Sequence, residues 1–455
     1  MSASHLPAGI YEPGAEGTVP VEFCTGSAGT GKTFEMRRRI AENPSYGVLA
    51  ATTGIAAMNL GTITINSLLK YFDTDSLEEA FFNGWLVMKL RELAEAGYRW
   101  LVIDELSMMD AKQLDLIYQG CKLLNEQRSH AQDDLEQGDR QPLGIILTGD
   151  FCQLPPIKAR WAFEAACWPE FEANTTRLTK QWRQADGQFL DAINHIRSGN
   201  GGLGSSILSN MGVEFIRSAS SSFDGTTIMA KNKSVDNFNW LAHSRLPGVP
   251  IVVTSSRWGE QRAEWKHIPE QLMLKRGAYV MILANDAPDF TYVNGDCGHL
   301  EDYEETELGA SFHIKLVRNN EVVEVPKLTR NQTQKFPGSD ILTKHPGSGE
   351  PELRKMYMHG NKEGGSWWDP DRRRWIIGGV NYFPLRLAYA STVHKSQGLT
   401  LDRIQCDIND HFFGSPSMAY VALSRCRAAS GLRIVGSPQL LAARVKIAPE
   451  VQRWL

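Results

Sequence analysis

The chain has 455 residues, an apolar fraction of 42% and a formal net charge of −4 at pH 7. That length exceeds one hydrophobic core and predicts roughly two to four domains, while the slightly acidic balance excludes a general attraction to nucleic acid, so any such contact must be a local basic or aromatic groove. No apolar run is long enough to span a bilayer, residues 1–20 lack secretory and transit patterns, and the seven cysteines include no Cys-x-x-Cys pair. The expectation is a cytoplasmic protein with reduced thiols, no structural zinc and no membrane partner.

In chain order, Val21 to Phe23 reads as a strand and Thr33 to Ile40 as a helix, joined by Cys24-Thr25-Gly26-Ser27-Ala28-Gly29-Thr30-Gly31-Lys32-Thr33. This is a P-loop pattern. Glycines let the backbone N–H groups turn inward around a β-phosphate, Lys32 reaches the β and γ oxygens, and the Thr33 hydroxyl is a Mg²⁺ ligand. The nucleotide-binding set is therefore Gly26, Ala28, Gly29, Thr30, Gly31, Lys32 and Thr33.

Further strands are expected at Val48 to Ala51, Trp100 to Ile103 and Leu143 to Leu147, alternating with helical stretches, the pattern of a parallel sheet with helices on both faces. Ligands in such sheets sit beyond the carboxyl ends of the strands. There Asp104 and Glu105 deliver paired carboxylates, Asp104 for the metal and Glu105 for the attacking water. The competing reading is a helix whose first turn favours acids. The next strand ends in Thr148-Gly149-Asp150-Phe151-Cys152-Gln153-Leu154-Pro155-Pro156, which places Gln153 to touch a γ-phosphate or its water. Gln127 to Gln141 is polar and aperiodic and reads as a surface loop.

A second α/β pattern begins near Thr179, with strands expected at Thr226 to Met229, Ala278 to Leu283 and Leu385 to Ala388. Ser198 to Gly204 reads as a turn-rich connection, Asn331 to Gly365 as a Pro/Gly/charge-rich stretch, and Asp296 to Trp375 as a mostly β insertion.

These residues resemble the Pif-type (petite integration frequency) DNA helicases of superfamily 1. The likeness runs from the P-loop through Asp104 to Met109, Gly149 to Pro156, Leu178-Thr179-Lys180-Gln181-Trp182-Arg183-Gln184, Leu274 to Met281 and Val293 to Asp296. It ends in Thr392-Val393-His394-Lys395-Ser396-Gln397-Gly398-Leu399-Thr400-Leu401-Asp402 and Tyr420-Val421-Ala422-Leu423-Ser424-Arg425. The fold it implies is α/β, with two RecA-like P-loop NTPase domains having parallel sheets, a small wedge insertion, and a mostly β insertion in the second lobe. The expected divisions are 1–178, with a wedge at about 70–86, then 179–295, 296–375 and 376–455.

The resemblance implies an ATP-dependent, Mg²⁺-requiring DNA helicase that moves 5′ to 3′ on single-stranded DNA and unwinds tailed or forked duplex DNA. Arg183 and Arg425 match the family's cross-cleft arginines, which stabilise charge at the γ-phosphate, and Gly398 approaches the nucleotide. Thr53, Gly54, Thr64 and Asn66 on the first lobe and His394, Lys395 and Ser396 on the second match its DNA contacts, although a Thr/Ser turn is also an ordinary helix cap. Tyr71 to Trp85, with Phe72, Phe81 and Phe82, is the candidate wedge. Arg372 to Arg374 beside Trp367, Trp368 and Trp375 is either a basic and aromatic contact or a solvated face.

The chain departs from the family in having no Gln among residues 1–24, where one reads adenine, in Asn66 replacing a common histidine, and in Pro142-Leu143-Gly144. It is expected to be a monomer, a minimal core of the kind bacteria, phages or mobile elements encode, acting in the bacterial or host cytoplasm beside replication or recombination proteins. Two rivals stay open: a strand-stimulated translocase that strips proteins and unwinds little, and a non-catalytic DNA-binding subunit. RNA stays open as a substrate, since phosphate and stacking contacts discriminate sugars weakly.

Overall fold

Apolar runs at Gly47–Ala51, Trp100–Asp104 and Gly144–Gly149 are too short and too uniformly buried for amphipathic helices, and they become interior strands of a parallel sheet covered on both faces. The computed structural model describes residues 18–130, 141–262, 265–266, 268–284, 286, 291–292, 294–306, 309–334, 367–369 and 374–455. In chain order the strands of this sheet are β1 (Val21–Thr25), β2 (Gly47–Ala51), β3 (Ile63–Thr64), β4 (Trp100–Asp104), β5 (Gly144–Gly149) and β6 (Thr175–Arg177). Their spatial order is β3-β2-β4-β5-β1-β6, with every neighbouring pair parallel. One strand, β5, thus separates the P-loop strand from the acidic strand β4, and all three deliver their loops at the same sheet edge. Cys24, Met36, Val102 and Ile146 form the buried core between the sheet and the helix Lys32–Glu42.

The chain divides into two compact units, Met1–Ile207 with Gly414–Ser424 and Ala442–Leu455, and Leu208–Phe413 with Arg425–Leu441. This differs from the expected division after residue 178. Arg197 on the helix Gly187–Arg197 pairs with Asp150 at 2.9 Å, and Trp454 packs against Phe23, Phe151, Phe163 and Trp168. A charge pair and an aromatic cluster therefore keep these distant segments with the first sheet.

The second unit has its own five-stranded parallel sheet, in the order Ala390–Thr392, Thr226–Met229, Ile404–Asp407, Leu432–Val435, Glu214–Ile216. Two parallel sheets, each covered by helices, make the architecture α/β and RecA-like. Two expected strands belong elsewhere: Tyr279–Ile282 and Leu385–Leu387 pair antiparallel with one another in a separate sheet with Cys297–Thr306, Gly309–Leu316 and Val322–Pro326. Short buried strands look alike in sequence whichever sheet they join. The core of this β-rich part includes Val280, Leu300, Phe312, Ile314, Val325 and Leu385, so β structure begins before the expected insertion at 296.

Two polar stretches are more helical than expected. Helix Ala111–His130 runs through Gln127, where a loop was expected to start, because Glu126, Gln127 and Arg128 are all competent helix formers; the rest of that stretch to residue 140 lies outside the described residues. Helix Gly201–Asn210 begins inside the expected Ser198 to Gly204 turn, with Asn200 accepting from the Leu203 N–H.

The expected wedge is a pair of helices, Thr74–Phe82 and Trp85–Glu95, the first closed by an Asp73–Ser76 capping box. Leu77, Leu86 and Leu90 are buried, and Phe72, Phe82 and Trp85 stay exposed at 94%, 78% and 45%. Arg372 and Arg373 lie outside the described residues, as do residues 335–366, and for Trp367, Trp368, Arg374 and Trp375 only strand placement is described, Trp368 opposite Trp375. Among the described residues no helix is long and apolar enough to cross a membrane.

Candidate nucleotide site

Strand β1 is pinned on both sides where the P-loop leaves it. The Thr25 hydroxyl donates to the Gly149 carbonyl at 3.0 Å, and the Leu178 N–H donates to the Thr25 carbonyl at 2.7 Å. At Gly26 the backbone φ is +155° and an added Cβ would lie 2.4 Å from the Leu178 oxygen; at Gly29 φ is +89° and a Cβ would lie 2.7 Å from both Arg183 Cβ and Gln181 Oε1. Both positions therefore exclude a side chain by conformation and by space. Thr30 closes the turn by donating to the Ser27 carbonyl at 2.9 Å. The Gln181 amide braces the outside, donating to Ser27 Oγ at 2.7 Å and to the Ala28 carbonyl at 3.0 Å.

Lys32 is 8% exposed, and its Nζ donates to the carbonyls of Gly26 at 2.8 Å and Ser27 at 3.2 Å. The ammonium is thus held inside the curve of the loop. Helix Lys32–Glu42 starts at this point, after Gly31 in the left-handed conformation, so its first N–H groups and positive dipole end face the loop interior.

Across from it, Asp104 is 2% exposed and takes a Thr33 Oγ1 hydrogen bond at 2.6 Å, another from the Thr148 hydroxyl and a third from the Glu105 N–H at 2.8 Å. A hydroxyl and a carboxylate at this spacing form an all-oxygen pair suited to a hard divalent cation. Among the described residues no group of three or more His, Cys, Asp or Glu could hold a metal ion. Glu105 has φ +58°, a left-handed conformation that costs a non-glycine residue about 1 kcal/mol or more. Its carbonyl accepts from Thr52 Oγ1 at 2.7 Å, which helps to hold the strained turn.

Gln153, 4% exposed, sits one turn after Asp150, its N–H donating to the Asp150 carbonyl at 2.9 Å. Asp150 itself was not singled out in the sequence. It is 1% exposed and accepts from Arg197 Nη2 at 2.9 Å, the Cys152 N–H at 3.1 Å and the Tyr420 hydroxyl at 2.8 Å. Burial pushes its carboxyl up, but Arg197, Lys32 and the Tyr420 hydroxyl together pull it below the usual carboxylate range. Its only sequence signal was a charged residue between Gly149 and Phe151.

Arg183 lies on the same unit, its Nη1 donating to the Ser424 carbonyl at 3.1 Å beside a like bond from Gln184 Nε2. Arg425 belongs to the second unit and is 1% exposed. In that unit its carbonyl accepts from the Leu401 N–H, and Gly398 is exposed with φ +79°.

Several expected strand contacts are helix caps here. Thr53 accepts from the Ala56 N–H at 3.2 Å, at the start of helix Gly54–Leu60, Thr64 accepts from the Ser67 N–H at 3.1 Å, and Asn66 donates to the Phe72 carbonyl at 3.2 Å. In the second unit Thr392 caps the turn Val393–Ser396; Ser396 is fully buried with its hydroxyl on the Val393 carbonyl, while His394 remains exposed and Lys395 partly so.

A family model described as PIF1-like helicase matches residues 9–219, the span of the P-loop, the acidic strand and the Asp150 turn. The chain is 28% identical over 91% of its length to the ATP-dependent DNA helicase Pif1 of Bdellovibrio bacteriovorus, spanning 84% of that protein, and 26% identical over 96% of its length to the Emericella nidulans helicase PIF1, spanning 60% of it. Among solved structures, the Pif1 helicase of Candida albicans covers 96% of this chain and 95% of its own at a TM-score of 0.64 and 24% identity, which speaks for the fold. With the P-loop, the acidic pair and the Asp150 turn gathered at one edge of the first sheet, the chain is similar to the PIF1-like helicases over the residues that the family model matches.

Proposed function

We propose that this protein is an ATP-dependent DNA helicase that couples nucleotide hydrolysis to 5′ to 3′ movement on single-stranded DNA and to duplex separation. The observation that carries the reading is the convergence of Lys32, Thr33, Asp104 and Glu105 at one sheet edge, with the Thr33 hydroxyl 2.6 Å from the Asp104 carboxylate. The names of the relatives above support the activity, and the family resemblance supports the polarity.

In this reading Lys32 exchanges its bonds to the Gly26 and Ser27 carbonyls for phosphate oxygens, and the N–H groups of Gly29 to Thr33 neutralise the rest of the phosphate charge. Thr33 and Asp104 would hold Mg²⁺, which when bound neutralises charge on the β and γ oxygens. Glu105 orients the attacking water and accepts its proton. Gln153 senses the γ-phosphate, and Arg183 and Arg425 stabilise the charge that develops on the transferring group. Phe72, Phe82 and Trp85 offer exposed rings on which bases can stack irrespective of sequence.

The test is ATP hydrolysis with and without single-stranded DNA, beside unwinding of partial duplexes that carry a 5′ or a 3′ tail. DNA-stimulated hydrolysis with unwinding of the 5′-tailed substrate alone is expected. Stimulation without unwinding would turn the reading to a translocase, and absence of hydrolysis to a binding subunit.

A further inference from the structure

Tyr420 lies on the short helix Met418–Leu423, almost four hundred positions after the P-loop, yet it is fully enclosed in the first unit at 2% exposure. Its hydroxyl accepts from the Ala28 N–H at 2.8 Å and donates to Asp150 Oδ2 at 2.8 Å. Arg197 holds the other side of the same carboxylate, through Nη2 to Oδ1 at 2.9 Å and Nε to Oδ2 at 3.3 Å, and its Nη2 also reaches the Trp454 carbonyl at 3.2 Å. The backbone of the Asp150 turn then leads directly to Gln153. At the far end of the Tyr420 helix, the Ser424 carbonyl accepts from Arg183 and Gln184, both at 3.1 Å.

One phenol thus joins the loop that faces phosphate, the turn that bears Gln153 and the segment that anchors Arg183. Burial keeps the phenol protonated, so it has one proton to give and gives it to the one charged acceptor in reach. Its lone pair is taken by a P-loop amide adjacent to the phosphate-facing N–H groups. A buried, charge-assisted chain of this kind is rigid, because a member that moves gives up a bond in a site where burial leaves little to replace it.

We propose that Tyr420 is a positioning residue for nucleotide hydrolysis, holding the P-loop, Gln153 and Arg183 in mutual register without itself touching the nucleotide. The proposal rests on the ATP-hydrolysing reading above. A phenylalanine would fill the same volume and leave the Ala28 N–H and one Asp150 oxygen each short of a partner. The expected consequence is misplacement of the γ-phosphate-sensing Gln153 and the charge-stabilising Arg183, not loss of binding.

The experiment compares the full chain with Tyr420→Phe, Gln153→Ala and the double variant in steady-state ATP hydrolysis at saturating single-stranded DNA. Tyr420→Phe should lower kcat about 10-fold or more while the ATP KM and the DNA affinity stay within about twofold, and the double variant should lose less than the product of the two single losses, since part of the Tyr420 effect runs through the Gln153 turn. A folded Tyr420→Phe protein with parental kcat, or with a raised KM and unchanged kcat, overturns the proposal, as does a double variant whose losses multiply. If Tyr420→Phe does not fold, Asp150→Asn removes the charge that orders the same chain, and parental kcat in that folded variant overturns it equally. A parent protein that fails to hydrolyse ATP overturns the function itself, whereas a competent parent with an equally competent Tyr420→Phe overturns this inference alone.

Discussion

The Thr33 hydroxyl donates to Asp104 Oδ2 at 2.6 Å, joining the first turn of the P-loop helix to the end of the acidic strand, 71 positions further along the chain. In the proposed reading the bond fixes the two oxygens that would take a divalent ion, so little reorganisation would be required on binding.

Thr33→Val keeps the shape and removes that oxygen. It is expected to lower kcat/KM for ATP by about 100-fold and to raise the Mg²⁺ concentration giving half-maximal rate, whereas Thr33→Ser should stay near the parent. A magnesium titration of ATP hydrolysis across the three proteins reads both effects.

Glu105 pairs a proposed catalytic role with a left-handed backbone. Glu105→Gly and Glu105→Ala should both abolish hydrolysis, yet the glycine variant should be the more stable of the two by about 1 kcal/mol, because only alanine retains the strain. Denaturant melts of the two variants side by side check this, and equal midpoints would contradict it.

Gly29→Ala places a Cβ 2.7 Å from Arg183 Cβ at a φ of +89°. Either the loop or Arg183 must shift, and a displacement near 1 Å can cost about 100-fold in rate. The expected outcome is a protein that folds, with a melting point a few degrees lower, and turns over ATP at least about 10-fold more slowly.

Asp150 is a buried carboxylate whose folded pKa lies below its ordinary value of 3.8, burial opposing the shift and Arg197 leading the groups that produce it. Its contribution to stability is therefore fully present above 3.8 and is lost as the pH falls through the lower folded value. Arg197→Met leaves the carboxylate buried without its cation and should cost about 3–5 kcal/mol at pH 7. In that variant unopposed burial raises the carboxyl instead, so the stability gap to the parent should narrow as the pH is lowered toward 4. A gap that widens on acidification would contradict the assignment.

Cys24 lies directly under the P-loop, 1% exposed, with burial as the main cause pushing its thiol up to about 12. Alkylating reagents at pH 8 should leave it unmodified in the native protein, and ATP hydrolysis should survive their use. Mass spectrometry of the labelled peptides checks the first expectation and a rate assay the second.

The placement of the P-loop, the Asp104–Glu105 pair and the Gln153 turn at the ends of β1, β4 and β5 was legible because each is a local signal, a few adjacent residues after a short apolar strand. The strands around them were legible for the same reason, since β2, β4 and β5 are short apolar runs that end in polar turns. Where local signals were ambiguous, the reading failed. Tyr279–Ile282 and Leu385–Leu387 have the buried pattern of parallel core strands but pair antiparallel, because partner choice is made by residues far away in sequence. Thr53 and Thr64 accept from the N–H groups of Ala56 and Ser67 as helix caps, and a hydroxyl before a helix reads alike in sequence as a cap and as a phosphate contact.

The sequence alone determined which residues are candidates for the proposed chemistry, because glycine, lysine, hydroxyl and carboxylate at those spacings have few other uses. Only the tertiary structure decided how that chemistry is braced. Tyr420 and Asp150 are 270 positions apart, and nothing in either local segment announces the other. Their contact exists because the chain folds residues 414–424 and 442–455 back onto the first unit, where the buried carboxylate takes a hydroxyl donor in addition to Arg197 and the Cys152 N–H.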